Sequence, residues 1–149
     1  MAYTDVVTLA EAKQFLRVDD GFTADDTLIT LQINAAGEYV ERHTNHMLYV
    51  REKTYKFFDM EKRVHDYPIN SIVAPLEDEM DVTEFSLYTL YGSSEEDLIL
   101  NVGYDVADVP AGLKMEMLEF VNAKYHGNDE PGDFEAIDRR LAKYKRHII

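Results

Sequence analysis

The side chains of this sequence that could do chemistry are histidines, carboxylates and hydroxyls, because it contains no cysteine. Thiol nucleophiles, disulfides and thiolate zinc sites are thereby excluded, and only His, Asp and Glu remain as metal ligands. His43 and His46 are three apart and could in principle share a metal. They fall at the end of a predicted helix with no further His or Cys nearby, which reads as a polar pair at the surface. His65, His126 and His147 are dispersed. The carboxylates at 19–20, 25–26 and 77–81 lack the alternating oxygen ligands and terminal glutamate of a calcium loop, so they read as cap and loop charges. Neither GxxxxGK[ST] nor GxGxxG occurs, so nothing supports phosphate cradling or nucleotide hydrolysis. Without a nucleophile–base pair, a carboxylate pair in a cleft or a metal cluster, the expectation is a non-enzyme with no catalytic, metal or cofactor site.

With 149 residues, 46% of them hydrophobic, the chain can bury one modest core. No run approaches the ~20 apolar residues of a membrane span, and the start MAYTDVVTL lacks the basic and apolar regions of a signal peptide; a soluble protein made in a cytoplasm is expected. The net charge of −14 opposes wrapping of nucleic acid, which needs Lys and Arg against the phosphates. The charge is uneven: residues 1–45 carry eight acids and three bases, 46–105 thirteen and five, and 106–149 eight and seven. In the last part Asp129, Glu130, Asp133, Glu135 and Asp138 precede Arg139, Arg140, Lys143, Lys145 and Arg146. This cassette reads either as a solvated helix whose basic end complements the helix dipole or as a docking element.

The elements that would position these groups follow from spacing. Thr8 and Glu11 have the capping-box interval, with Leu9, Ala12 and Leu16 on one side of a short helix over 9–18, after which comes Gly21. Thr23, with Asp25 and Asp26 in the first turn, starts a second helix over 24–43. Its rows Leu28, Leu31, Ala35, Tyr39 and Ile29, Ile33, Ala36, Val40 predict a broad buried face. Ala35, Ala36 and Gly37 would let another backbone come close, in the same subunit or an adjacent one. From Tyr49 to Tyr104, β-branched and aromatic residues with turn punctuation predict short antiparallel strands in YVREKTYKFF, around SIV at 71–73, in EFSLYTLY and in DLILNVGY; EDEMD reads as a loop tip. Pro110 suits the first position of a helix over 110–126 that stops at Gly127 and Asn128. A linker, 127–133, leads to a last helix over 134–146 in which Phe134, Ile137, Leu141, Tyr144 and Ile148 form a stripe. That stripe needs a partner, its own subunit or another protein in the helix-in-groove mode. The predicted fold is thus α+β: a mainly helical single domain over 1–126, a small antiparallel β-region at 49–104 inserted between the second and third helices, and a detached C-terminal helix within 134–149.

Four stretches in this order resemble the small head-tail connector (adaptor) proteins of tailed bacteriophages. VTLAEAKQFLRVDD followed by DDTLITLQINAAGEYVERHTN is similar to that family's opening of short helix, acidic link and long helix. YPINSI is similar to its proline-led strand. NVGYDVADVPAGLKMEMLEFVNAKYHGNDE resembles its Gly-Tyr strand end, Val-Pro helix start and long helix, and AIDRRLAKYKR resembles its terminal segment. The resemblance covers nearly the whole chain, although 77–97 is not distinctive and the aromatic-rich end of the third helix is only Tyr125-His126 here.

The resemblance implies a structural subunit of the virion neck, assembled in the host cytoplasm as a closed ring of about twelve copies with heterologous contacts. It implies a portal protein above, a stopper or tail-completion protein below, no membrane, and double-stranded DNA passing through without specific binding. It also implies that the terminal helix reaches the portal, which assigns docking to Phe134, Ile137, Leu141, Tyr144 and Ile148, with Arg139, Arg140, Lys143, Lys145 and Arg146 supplying charge. Ala35, Ala36 and Gly37 are the subunit-contact candidates. Two other classes stay open: an acidic DNA-mimic or host-interaction protein, which predicts a monomer or dimer, and a small enzyme with an unrecognised site.

Overall fold

A computed structural model describes residues 1–56, 61–74, 89–91, 97–127 and 131–145. In chain order the helices are α1 (Tyr3–Val6), α2 (Leu9–Leu16), α3 (Asp26–Thr44), α4 (Ala111–Tyr125) and α5 (Pro131–Leu141). Between α3 and α4 lie the strands β1 (Arg51–Tyr55), β2 (Glu61–Arg63), β3 (Ile69–Ala74), β4 (Thr89–Tyr91) and β5 (Leu98–Val102). The fold is therefore α+β and mainly helical, as expected. Among the described residues every strand pairing is antiparallel: β5 lies between β1 and β3, and β2 pairs with β4. One isolated parallel bridge, His46 to Tyr67, joins the end of α3 to the β-region.

The capping box at Thr8 forms as its spacing predicts. Thr8 Oγ1 accepts from the Glu11 amide at 3.2 Å, while Glu11 Oε2 accepts from the Thr8 amide at 2.7 Å. Other boundaries move. Helix α1 was not anticipated; its Asp5 carboxylate accepts from the Ala2 amide at 2.7 Å and satisfies an otherwise orphaned donor. Helix α3 is capped at Asp25 rather than Thr23, and Pro110 is the cap of α4 rather than its first residue, following a 3-10 turn at Val106–Asp108. Gly127 ends α4 with φ of 67°, as its position suggests. Strand β2, which starts at Glu61, falls between the predicted strands. The loop tip EDEMD and residues 84–88 of the expected strand EFSLYTLY lie outside the described residues.

The apolar side chains separate into two clusters. The helical one is built by Val6, Ala12, Leu16, Ile29, Ile33, Val40, Leu113, Met117 and Val121, with Ile137 and Leu141 of α5 inside it. The second comprises Met47, Val64, Leu98, Leu100 and Val102 under the sheet. Alternation along β5 is complete, Leu98, Leu100 and Val102 inward and Ile99 and Asn101 half-buried.

The broad buried face predicted for α3 is only half present. Ile29, Ile33, Ala36 and Val40 are buried, whereas Leu28 and Leu31 remain 47% and 64% exposed. The buried face instead extends along the row Ile29, Ile33 and Gly37, where Gly37 receives the ring of Tyr3: a Cβ there would lie 2.1 Å from Tyr3 Cδ1. That row continues to Glu41, a buried carboxylate. Its Oε1 accepts from the Leu48 amide at 2.8 Å, and its Oε2 accepts from Tyr3 Oη at 2.8 Å and Arg51 Nη2 at 2.5 Å. Burial and the neighbouring carboxylate push the Tyr3 hydroxyl well above its ordinary pKa, so it stays a donor.

Removing this carboxylate strands a buried amide and a partly buried guanidinium. Glu41→Ala is expected to cost about 3 kcal/mol of folding stability, and Glu41→Gln less, since the amide oxygen can still accept from Leu48. Urea denaturation of both variants checks this; equal losses, or a loss below about 1 kcal/mol for alanine, would contradict it.

Candidate functional site

The residues singled out by sequence converge on α5 and its seat. Three contacts fix the direction of the helices. Tyr125 Oη donates to Asp25 Oδ2 at 2.7 Å, Tyr39 and Phe120 rings lie 5.0 Å apart, and Tyr144 lies over Gly112, where a Cβ would meet its hydroxyl at 1.9 Å. Helix α4 thus runs antiparallel to α3, and α5 antiparallel to α4.

Of the proposed docking stripe, Ile137 and Leu141 are buried in the chain's own core at 2% and 0% exposure. Phe134 is half-buried, 5.5 Å from the Phe120 ring and 6.2 Å from that of Tyr39, with Lys124 Nζ 4.8 Å above its own ring. Tyr144 is half-buried against the same cluster. Between the two partners that the stripe admits, these four side chains take their own subunit. Ile148 and Arg146 lie outside the described residues. Helix α5 begins at Pro131, inside the expected linker, and after Leu141 the chain passes into turns, with Lys143 donating to the Arg140 carbonyl and Tyr144 to that of Leu141. Proline suits such a start, and the tightened turns satisfy the last carbonyls.

Polar contacts hold the rim of α5. Arg140 Nε donates to Glu116 Oε1 at 2.6 Å, a bond that raises the guanidinium pKa; the Glu116 side chain is buried. Tyr39 Oη donates to Asp138, and burial together with that carboxylate pushes the phenol pKa up. The two histidines with metal-like spacing bind this rim instead. His43 Nε2 stands 3.6 Å from Asp138 Oδ1 while its Nδ1 lies 2.8 Å from the Tyr39 carbonyl. His46, buried among the Tyr67, Tyr104 and Tyr144 rings, places Nε2 3.0 Å from the Tyr144 carbonyl and Nδ1 2.8 Å from Tyr104 Oη. The carbonyl can only accept, so Nε2 carries a proton and donates to it. Arg139, Lys143 and Lys145 are left exposed, three cations on the outer face of the terminal segment.

The subunit-contact candidates are not brought to one surface. Ala36 is fully buried and Gly37 is covered by Tyr3 of the same chain, so the close approach they permit is intramolecular; Ala35 is exposed. Sequence reasoning did not find Glu41 or His46 as hubs. The signal available for Glu41 was its place four residues after Gly37 and eight after Ile33, on a row that is otherwise apolar or small.

The family model described as Phage gp6-like head-tail connector protein matches residues 6–133. Among curated proteins nothing matches. Two solved structures are similar over 100% of this chain. One, described as the neck of an empty GTA particle computed with C6 symmetry, has a TM-score of 0.72 at 13% identity and is covered over 95% of its chain. The other, the virion of a native gene transfer agent (GTA) particle, has a TM-score of 0.68 at 13% identity and is covered over 94%. At that identity the likeness establishes the fold.

The seat makes opposite demands on the inner and outer sides of the terminal segment. Leu141→Ala should destabilise the protein by about 2–5 kcal/mol, as buried leucine truncations do. Lys143→Glu, on the exposed face, should stay within about 0.5 kcal/mol of wild type. Thermal and denaturant unfolding of the pair checks this; equal stability of Leu141→Ala and wild type would mean that α5 leaves the core in solution.

Proposed function

Because the chain belongs to the Phage gp6-like head-tail connector protein family, we propose that it is a structural, non-enzymatic ring subunit of a virion neck, standing between the portal and the stopper or tail-completion proteins. The observation that carries this reading is the agreement of the fold with that of a chain in the neck of a particle treated with sixfold symmetry. A ring of about twelve subunits is a multiple of six and suits such an arrangement. The net charge of −14 suits a conduit, since carboxylates repel phosphates and let double-stranded DNA pass without adhering. Which carboxylates face the lumen is part of the same proposal and depends on how the ring is oriented.

Portal docking by the terminal segment is the second element of the proposal, and the packing of α5 redistributes its parts. Phe134, Ile137, Leu141 and Tyr144 hold the helix on its own subunit, so Arg139, Lys143 and Lys145 are the described residues free to meet an acidic portal surface, with Arg140 shared with Glu116. A charged rim of this kind acts chiefly on encounter rate and orientation.

The triple change Arg139→Glu, Lys143→Glu, Lys145→Glu should lower attachment to portal-bearing heads about 100-fold, the equivalent of roughly 3 kcal/mol, and steepen with falling salt. Its melting temperature should stay near that of wild type because the three side chains are exposed. Normal attachment by the folded triple variant would remove the portal from this face; failure of the wild-type chain to attach to heads at all would count against the connector reading.

A further inference from the structure

Helices α3 and α4 each leave one apolar seam uncovered. On α3, Leu28, Leu31 and Ala35 are all exposed, spaced three and four apart, and so form a straight seam about 10 Å long. On α4, Ala111 and Met115 are exposed, Met115 by 48%, and farther along the same line Leu118 is half-buried against the chain's own core and the polar Asn122 is half-buried. Such spacing suits a facing helix.

The placement of the two seams distinguishes what covers them. At ~100° per residue, Leu31 and Ala35 lie on the opposite side of α3 from the buried Ile33 and Val40, and Ala111 and Met115 lie on the opposite side of α4 from Leu113 and Phe120. The buried sides of both helices share one core, with Tyr39 against Phe120. The seams therefore face outward on opposite flanks of a two-helix layer. Two different patches on opposite flanks are what a head-to-tail contact between copies requires, whereas a two-fold contact uses one patch twice. The charges agree with a copy as occupant. The α3 seam runs on into exposed Glu38 and Arg42, and half-buried Glu119 stands beside Met115 while Lys114 turns its charge toward Glu11 of its own chain, so Arg42 is the cation that meets Glu119 across such a contact. A nucleic acid or an anionic membrane would meet the acidic surplus instead.

We propose that the α3 seam of one subunit packs on the α4 seam of the next, making Leu31 and Met115 facing anchors of the ring contact. This rests on the ring reading above and goes beyond it by naming the two flanks. It also replaces Ala36 and Gly37, which face inward, as subunit-contact residues.

The absence of cysteine allows a direct test. Leu31→Cys and Met115→Cys are introduced singly and together, and the chains are treated with a flexible bismaleimide in assembled necks or in purified oligomers. The double variant should give a ladder of linked copies, and each single variant should remain monomeric on a denaturing gel. Leu31→Glu and Met115→Glu, both at exposed positions, should keep wild-type circular dichroism and lose assembly at least ~10-fold. Dimers from a single-cysteine variant would indicate a two-fold contact and overturn the proposal. So would a ring that forms while the double variant gives no ladder and the glutamate variants assemble normally. If the wild-type chain forms no ring and is absent from necks, the functional reading itself fails, and native mass spectrometry of the same samples separates that outcome from the others.

Discussion

A buried carboxylate organises the helical half of this molecule. Glu41 sits on the inner side of α3 and takes three donors, one each from α1, from the connection after α3 and from β1. A charge placed there would be costly alone, yet with Arg51 beside it and two further hydrogen bonds its lone pairs are occupied. The consequence is geometric. The first helix, the long helix and the first strand are fixed to one point, and Gly37, four residues earlier on the same side, is the gap that admits Tyr3 to reach it.

A second junction lies one turn on. Asn45 turns the chain with φ of 63°, His46 pairs with Tyr67, and the Met47 amide donates to the Tyr67 carbonyl while the Tyr67 amide donates to that of Asn45, which attaches the sheet cluster to the helical one. The imidazole of His46 reaches across to Tyr104, past the end of β5, and to Tyr144, past the end of α5. Two apolar clusters that share no buried residue are thus joined through a polar and aromatic node. The β-region and the terminal helix each hold the same side chain, so the position of one constrains the other.

How far the sequence discloses all this depends on the range of the interaction. The Thr8–Glu11 box, the stop at Gly127 and the inward alternation of Leu98, Leu100 and Val102 are local patterns, and they appear in the structure as the spacing says. The inner side of α3 was harder to read because periodicity counts apolar residues. Leu28 and Leu31 complete a regular row and yet face solvent, while Gly37 and Glu41, which carry no apolar signal, face the core. Tertiary partners decide between two equally regular rows, and those partners lie far away in sequence, at Tyr3 and Arg51. The same holds for the histidines: a spacing of three says that His43 and His46 are near each other, but it cannot say that their partners are Asp138 and Tyr144. The order of weak motifs along the chain carried the family, because order samples the whole fold whereas each motif samples one turn.

The stripe on α5 shows why an amphipathic pattern alone does not name a partner. Burying Ile137 and Leu141 contributes roughly 1.5–3 kcal/mol for each side chain, and that gain is available on the chain's own α3–α4 surface as readily as on another protein. Once the intramolecular seat is filled, the outer side of α5 and the turns after it present Arg139, Lys143 and Lys145, which is the chemistry of a charged rim rather than of an apolar plug. The apolar surface left for association then has to lie elsewhere, and among the described helices it lies on the outer sides of α3 and α4. A subunit with its apolar contacts on its flanks and its cations on one terminal segment is polar in the geometric sense. On the proposed reading these are distinct sides for like copies and for an unlike partner, which is the condition for stacking a closed ring on a different ring.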